Sequence, residues 1–211
     1  MAPIVISIEG GIAIGKSTLC EKLEECGYKV FKEGLDEWGN VLDLFYKDPE
    51  RNCYLLQTAI LMNMHNQKQY INSLKDDIVF IERCPLSALQ IFVENSKKSK
   101  LLSDIEHKLY KKLHNKLGWC PDYIIGLTLN PDIAFERLKR RDRKCERNTS
   151  LEYVTQISDL YNQTFKKWKS YIKNRRLTVK GIITLDAIDS ENIILIKVMR
   201  YINDILMKLG K

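Results

Sequence analysis

At 211 residues and 45% hydrophobic, the chain is long enough to bury one full core, and no Pro/Gly/Ser-rich linker or repeat divides it, so a single domain over residues 1–211 is expected. No stretch approaches the ~20 apolar residues of a spanning helix, and Met1-Ala2 runs straight into a strand-like segment without a basic leader, which predicts a soluble intracellular, cytoplasmic protein with no membrane partner. The formal charge of +7 is local, with seven basic residues and no acidic one between Lys166 and Lys180; such runs read as solvated helix faces before they read as a nucleic-acid surface.

In chain order, the apolar run at 3–8 predicts a first strand, followed by a glycine-rich loop and a helix over 16–26 that Gly27 ends. Residues 28–33 read as a second short strand, 41–47 as helical, and 50–74 as a long helix entered through Asp48-Pro49 and broken at Asp76-Asp77. Ile78-Val79-Phe80-Ile81 has the continuous apolar character of a buried parallel strand, and Pro85 suits the first turn of a helix over 85–94. Helices are expected at 103–117, 132–140, 150–173 and from Ser190 onward, with strands at 123–129 and 182–186. Five strand-like runs alternating with helices predict an α/β fold: a parallel five-stranded sheet with helices on both faces.

The loop Gly10-Gly11-Ile12-Ala13-Ile14-Gly15-Lys16-Ser17-Thr18 fills G-x-x-x-x-G-K-[ST] between a strand and a helix. Glycines let the backbone N–H groups curl round a β-phosphate, Lys16 neutralises β/γ-oxygens, and the Ser17 hydroxyl completes a Mg²⁺ shell, so the loop predicts binding of a nucleoside triphosphate. Glu33 ends the second strand and Trp38 follows it. The pair could line one cleft as a proton acceptor and a flat wall for a sugar or base, or could equally be a surface Glu and a core Trp. Glu82 and Arg83 stand at the carboxyl edge of the third strand, where open α/β sheets place their ligands; a carboxylate for Mg²⁺ and a cation for a phosphate is one reading, a structural ion pair the other. The arginine-dense segment 137–147 reads as a lid that closes over phosphates, with a nucleic-acid stripe as the competing reading.

Taken together, these segments resemble the deoxyribonucleoside kinase family, which includes deoxycytidine, deoxyguanosine and mitochondrial thymidine kinases. The resemblance rests on the loop at 11–18, Glu33 and Trp38, Tyr46-Lys47-Asp48-Pro49 with Gln57, Glu82-Arg83-Cys84, Phe92-Val93-Glu94-Asn95, and Arg141, Arg143 and Glu146 followed by Leu151-Glu152-Tyr153. It implies transfer of the ATP γ-phosphate to a nucleoside 5′-hydroxyl, with Glu33 as base, Arg83 beside the same oxygen, and Glu82 beside Mg²⁺ with a share in proton acceptance. It further implies that Gln57 pairs with the base edge, Phe92 stacks on its face, Tyr46 and Glu146 hold the 3′-hydroxyl, and Arg137, Arg141 and Arg143 hold donor phosphates within a lid at about 137–149. The turn from Asp186 to Glu191 is expected against the donor adenine.

The resemblance places Met64 and Ala88 where the deoxycytidine and purine enzymes carry an Arg and Asp pair, which favours thymidine, with deoxycytidine also accepted. Gly34, Gly11, Cys84 and Cys145 depart from the residues usual in the family, and Gly34 loosens the backbone that aims Glu33. A homodimer is implied, with the helices at 103–117 and 150–173, and Leu102, Ile105, Leu109 and Leu113, as candidates for its seam.

Three rivals are weaker. A thymidylate kinase needs a basic site for its acceptor phosphate, which Glu33 would repel. A nucleic-acid-binding module or polynucleotide kinase fits the +7 charge but not the closed polar set of Tyr46, Gln57 and Glu146. A zinc-containing thymidine kinase needs paired cysteines, and the six present are scattered without a C-x-x-C.

Overall fold

The computed structural model describes residues 2–141, Glu146 and residues 149–210. Five parallel strands, β1 (Ile4–Gly10), β2 (Lys29–Phe31), β3 (Ile78–Glu82), β4 (Tyr123–Thr128) and β5 (Gly181–Asp186), form one sheet in the order β2-β3-β1-β4-β5. Ile8 sits opposite Glu82 on one side of β1, and Gly10 opposite Leu127 on the other, so the ends of β1, β3 and β4 come level at one edge.

The two-residue period of the strands explains why both faces are covered. Ile6, Ile8, Ile78, Phe80, Ile125 and Leu127 point to one face, where α1 (Lys16–Glu25), α7 (Pro131–Arg141) and α9 (Glu191–Lys208) cover them. Val5, Val79, Ile81 and Ile124 point to the other, against α8 (Leu151–Lys173). There Tyr161, Phe165 and Trp168 are almost fully buried, each contributing on the order of 2–3 kcal/mol of transfer free energy. A third cluster joins α3 (Pro49–Ile71) to α6 (Asp104–Leu117) through Cys53, Leu61, Val93, Leu102 and Tyr110.

Several local expectations are revised. β2 closes at Phe31, leaving Glu33 in the following loop: an edge strand with one neighbour is held by three register pairs and stops when they do. Helix α2 (Leu35–Lys47) begins well before Val41, because the Gly34 carbonyl accepts the N–H groups of Glu37 and Trp38 and starts the turn; Trp38 is therefore helical. Helix α3 ends at Ile71 rather than Leu74.

The helix expected at 85–94 reaches Lys98 in three parts, α4 (Pro85–Ser87), a π-helical segment (Ala88–Val93) and α5 (Glu94–Lys98). Of the expected seam residues, Leu102 is buried and Leu113 partly buried against the α3 cluster, whereas Ile105 and Leu109 are exposed. The apolar face of α8 is used within the chain, on the sheet. Among the described residues no helix is long and apolar enough to cross a membrane.

Candidate active site

The loop after β1 turns sharply, and two glycines carry the turn. Gly10 has φ +146°, and a Cβ there would lie 2.6 Å from the Leu127 carbonyl oxygen; Gly15 has φ +99° at the N-cap of α1. The first turn of α1 carries no acidic residue and no side chain caps it among the described residues, so its N–H groups and positive dipole end suit an anion. Lys16 folds back over the loop, its Nζ donating to the Gly11 carbonyl at 2.8 Å and lying 3.9 Å from Glu82 Oε1. Burial, and then repulsion from Arg83, pull the Lys16 pKa down to about 8. The Ser17 hydroxyl reaches the Glu82 carboxylate at 3.2 and 3.3 Å.

Glu82 and Arg83 are neighbours in sequence but turn to different partners. Glu82 faces the loop; Arg83, with its backbone at φ +67° and its N–H donating to the Ile8 carbonyl, faces the other way. Arg83 Nε donates to Glu33 Oε1 at 3.1 Å, and Nη1 donates to the Gly10 carbonyl at 3.0 Å and to the Tyr161 oxygen at 2.5 Å. The guanidinium also stacks 4.7 Å from the centre of the Phe92 ring. Burial by itself would lower the Arg83 pKa, but Tyr161 and the carboxylates of Glu33, Glu9 and Glu82 outweigh it and hold the group cationic. Of the two readings of Glu33 and Trp38, the cleft is the one observed: Glu33 is half-buried at the opening and Trp38 is buried in the wall.

Both groups face a cavity of about 910 Å³ that runs from the glycine-rich loop to α2 and α3. Ile12 to Thr18 line one end; Gly10 and Gly11 act from behind it, through the turn and the carbonyl that holds Lys16. Trp38 and Tyr46 from α2, Gln57 and Met64 from α3, and Ala88 and Phe92 from the π-helical segment line the other. A π-helical turn widens the helix where these two side chains meet the cavity, a place where such turns recur in proteins. Gln57 is buried, and its Oε1 has no partner among the described residues. A buried amide oxygen left unpaired costs about 1–3 kcal/mol, which a ligand N–H can recover.

Arg137 and Arg141 of α7 close the loop end: Arg137 donates to the Ala187 carbonyl at 3.1 Å, and Arg141 holds Glu146 at 2.5 Å. Arg143 and Cys145 lie outside the described residues, as do the other lid positions at 142–145, 147 and 148. Ala187 and Asp189 from the turn after β5, and Glu191 at the start of α9, line the same end. Ile60, Asn95, Ser96 and Tyr153 also line the cavity; Asn95 and Tyr153 stand in the motifs of the resemblance without an expected role, and Ile60 and Ser96 stand in none. A helical-spacing signal was available for the first three: Ile60 lies between Gln57 and Met64 on one face of α3, and Asn95 and Ser96 follow Phe92 by three and four residues.

A sequence profile described as deoxynucleoside kinase matches residues 6–209. A protein of Invertebrate iridescent virus 3 named as a kinase, 029R, is 32% identical over 163 residues, covering 77% of this chain and 83% of its own. Human mitochondrial thymidine kinase 2 is 31% identical over 172 residues, covering 75% of this chain and 63% of its own. Among solved structures, deoxyadenosine kinase from M. mycoides, with products dCMP and a flexible dCDP bound, superposes with a TM-score of 0.80 at 21% identity, covering 95% of this chain and all of that one. A glycine-rich loop and a paired Glu and Arg at one end of a cavity of about 910 Å³ accord with a profile match over nearly the whole length: the chain belongs to the deoxynucleoside kinase family and is a phosphotransferase.

Proposed function

We propose that this deoxynucleoside kinase transfers the γ-phosphoryl group of MgATP to the 5′-hydroxyl of pyrimidine deoxynucleosides, thymidine first and deoxycytidine second. The observation that carries the reading is the Glu33–Arg83 pair, 3.1 Å apart where the cavity meets the glycine-rich loop. Glu33 accepts the proton of the 5′-hydroxyl, and Arg83 keeps that carboxylate aimed while offering positive charge to the forming phosphate ester. Lys16 and the α1 N–H groups hold the donor phosphates, and Arg137, Arg141 and, by its place in the lid, Arg143 close over them and keep water out.

The Ser17 hydroxyl and the Glu82 carboxylate, 3.2 Å apart, are the hard oxygen donors that Mg²⁺ takes alongside waters and phosphate oxygens, so they fit the ion and would hold it. When bound, Mg²⁺ supplies neutralisation of the phosphate charge. At the acceptor end Gln57 pairs with the base edge and Trp38 and Phe92 flank the nucleoside; Tyr46 binds the 3′-hydroxyl together with Glu146, which the 2.5 Å pair with Arg141 ties to the loop end. A second copy of the chain, meeting it over the exposed Ile105 and Leu109 of α6, completes a homodimer.

Base preference rests on Met64 and Ala88, both buried and neither able to form an ion pair with a base or with each other. An apolar wall there leaves room for the thymine methyl group and offers no charge to a purine edge. The names of relatives do not rank the bases: a thymidine kinase stands beside a deoxyadenosine kinase that holds dCMP.

The test is phosphoryl transfer from MgATP to thymidine, deoxycytidine, deoxyadenosine, deoxyguanosine, uridine and thymidine monophosphate, with products identified by mass. Thymidine and deoxycytidine 5′-monophosphates ahead of the purine products are expected. A purine ranked first overturns the preference, and phosphorylation of thymidine monophosphate alone overturns the acceptor assignment.

A further inference from the structure

Behind the Glu33–Arg83 pair lies a second layer of polar groups outside the main cavity. Glu9, the penultimate residue of β1, is fully buried, and a carboxylate in that position is costly unless charge and hydrogen bonds compensate it. Its Oε1 accepts from the Ser7 hydroxyl at 2.7 Å, and its Oε2 accepts from the Tyr161 hydroxyl at 3.2 Å. The same Tyr161 oxygen accepts from Arg83 Nη1 at 2.5 Å. The polarity of this chain is forced, because a guanidinium can only donate and an ionised carboxylate can only accept. The Tyr161 proton therefore points at Glu9, and its lone pairs point at Arg83.

This arrangement leaves the Arg83 guanidinium one orientation. Nη1 is held by the Gly10 carbonyl and the Tyr161 oxygen, the plane is stacked on Phe92, and the remaining Nε edge is presented to Glu33. The buried charge of Arg83 is balanced from both sides, by Glu33 directly and by Glu9 through one tyrosine hydroxyl. We propose that Tyr161 and Glu9 are positioning residues for phosphoryl transfer, acting through Arg83 to aim and hold Glu33; this rests on the reading of Glu33 and Arg83 given above.

Steady-state kinetics of Tyr161→Phe, Arg83→Lys, the double variant and Glu9→Gln, each with its thermal midpoint, test the inference. Tyr161→Phe keeps the ring that stacks near Phe92 and Phe165 and removes only the hydroxyl. Its kcat is expected to fall by about 10- to 100-fold with the nucleoside KM within about three-fold of wild type. Added to Arg83→Lys, it is expected to cost less than about two-fold more, because two residues that act through one group are not additive. Glu9→Gln keeps the shape but removes the balancing charge, and is expected to lower kcat in the same non-additive way by a smaller factor.

An unchanged kcat in Tyr161→Phe and Glu9→Gln overturns the inference, as does a Tyr161→Phe loss that is undiminished in the Arg83→Lys background, which marks a structural role alone. If Arg83→Lys itself turns over normally, both the site assignment and the inference fail; if it is impaired while the other two are not, the inference alone fails.

Discussion

Arg83 Nε donates to Glu33 Oε1 at 3.1 Å, which joins a loop residue beyond an edge strand to the residue following a central one. The bond fixes a carboxylate on the short loop between Phe31 and Gly34, and in the proposed reaction that carboxylate takes the 5′-hydroxyl proton. Replacing Glu33 by Gln keeps the size and one acceptor oxygen but removes the basic site. The expected outcome is a fall in kcat of about 10²–10⁴-fold with nucleoside affinity largely kept. Stopped-time product assays and isothermal titration with thymidine read the two quantities separately, and turnover near wild type rejects Glu33 as the base.

Lys16, proposed above to hold the donor phosphates, is expected to make nucleotide binding pH-dependent in a defined direction. Its pKa falls from 10.5 to about 8 on folding, through burial first and Arg83 second. Between these values the unfolded chain holds the proton that the folded chain has lost, so this residue's contribution to stability rises with pH across that window. A bound polyphosphate favours the charged amine and draws the proton back. ATP affinity is therefore expected to weaken above about pH 8, approaching ten-fold per pH unit while the free-site lysine is neutral. Titration calorimetry at pH 8.5 in two buffers of different ionisation enthalpy should show net proton uptake; equal heats in both would rule the assignment out.

Met64 and Ala88 line the same cavity, and opposite charges introduced at the two positions are expected to pair across it. Met64→Arg or Ala88→Asp made singly buries an unpaired charge and is expected to cost about 3–5 kcal/mol of stability. The double variant should recover part of that loss and move the kcat/KM ratio from thymidine toward deoxycytidine or purine nucleosides by about 10-fold or more. Thermal midpoints of the three proteins, together with the substrate ranking, check both halves; an unchanged ranking in a folded double variant removes Met64 and Ala88 from base selection.

Tyr110 is fully buried between α3 and α6, and its hydroxyl has no partner among the described residues. Burial raises its pKa far above the usual tyrosine value, so the group stays neutral. Because an unpaired buried hydroxyl costs about 1–3 kcal/mol, Tyr110→Phe is expected to leave stability unchanged or raise it by up to about 1 kcal/mol. A chemical denaturation curve gives the sign, and a clear loss of stability would mean that the hydroxyl is hydrogen-bonded in solution.

Much of the candidate site is legible in the sequence because its parts are local. The glycine-rich loop is a run of consecutive residues with positive φ at three places; Gly10 and Gly15 supply two of them, and Ala13 takes the third at φ +55°. Strand β3 is an unbroken apolar run that can only be buried, which placed Glu82 and Arg83 at a sheet edge. Gly39 and Asn40 are weak helix formers and hide the start of α2 in the sequence, while burial of Trp38 against the cavity outweighs their propensity. The π-helical segment at Ala88–Val93 leaves no signature in composition.

The local patterns established the strands, the phosphate loop and the identity of the charged residues near it. Which charges meet depended on strand order. β3 inserts between β1 and β2, so Glu9, Glu33 and Arg83 gather at one edge although they come from separate parts of the chain, and Tyr161 reaches Glu9 across 152 residues. No periodicity records such a contact, because a residue's spacing sets the face it presents, whereas the partner on that face is set by how the sheet and α8 close on each other.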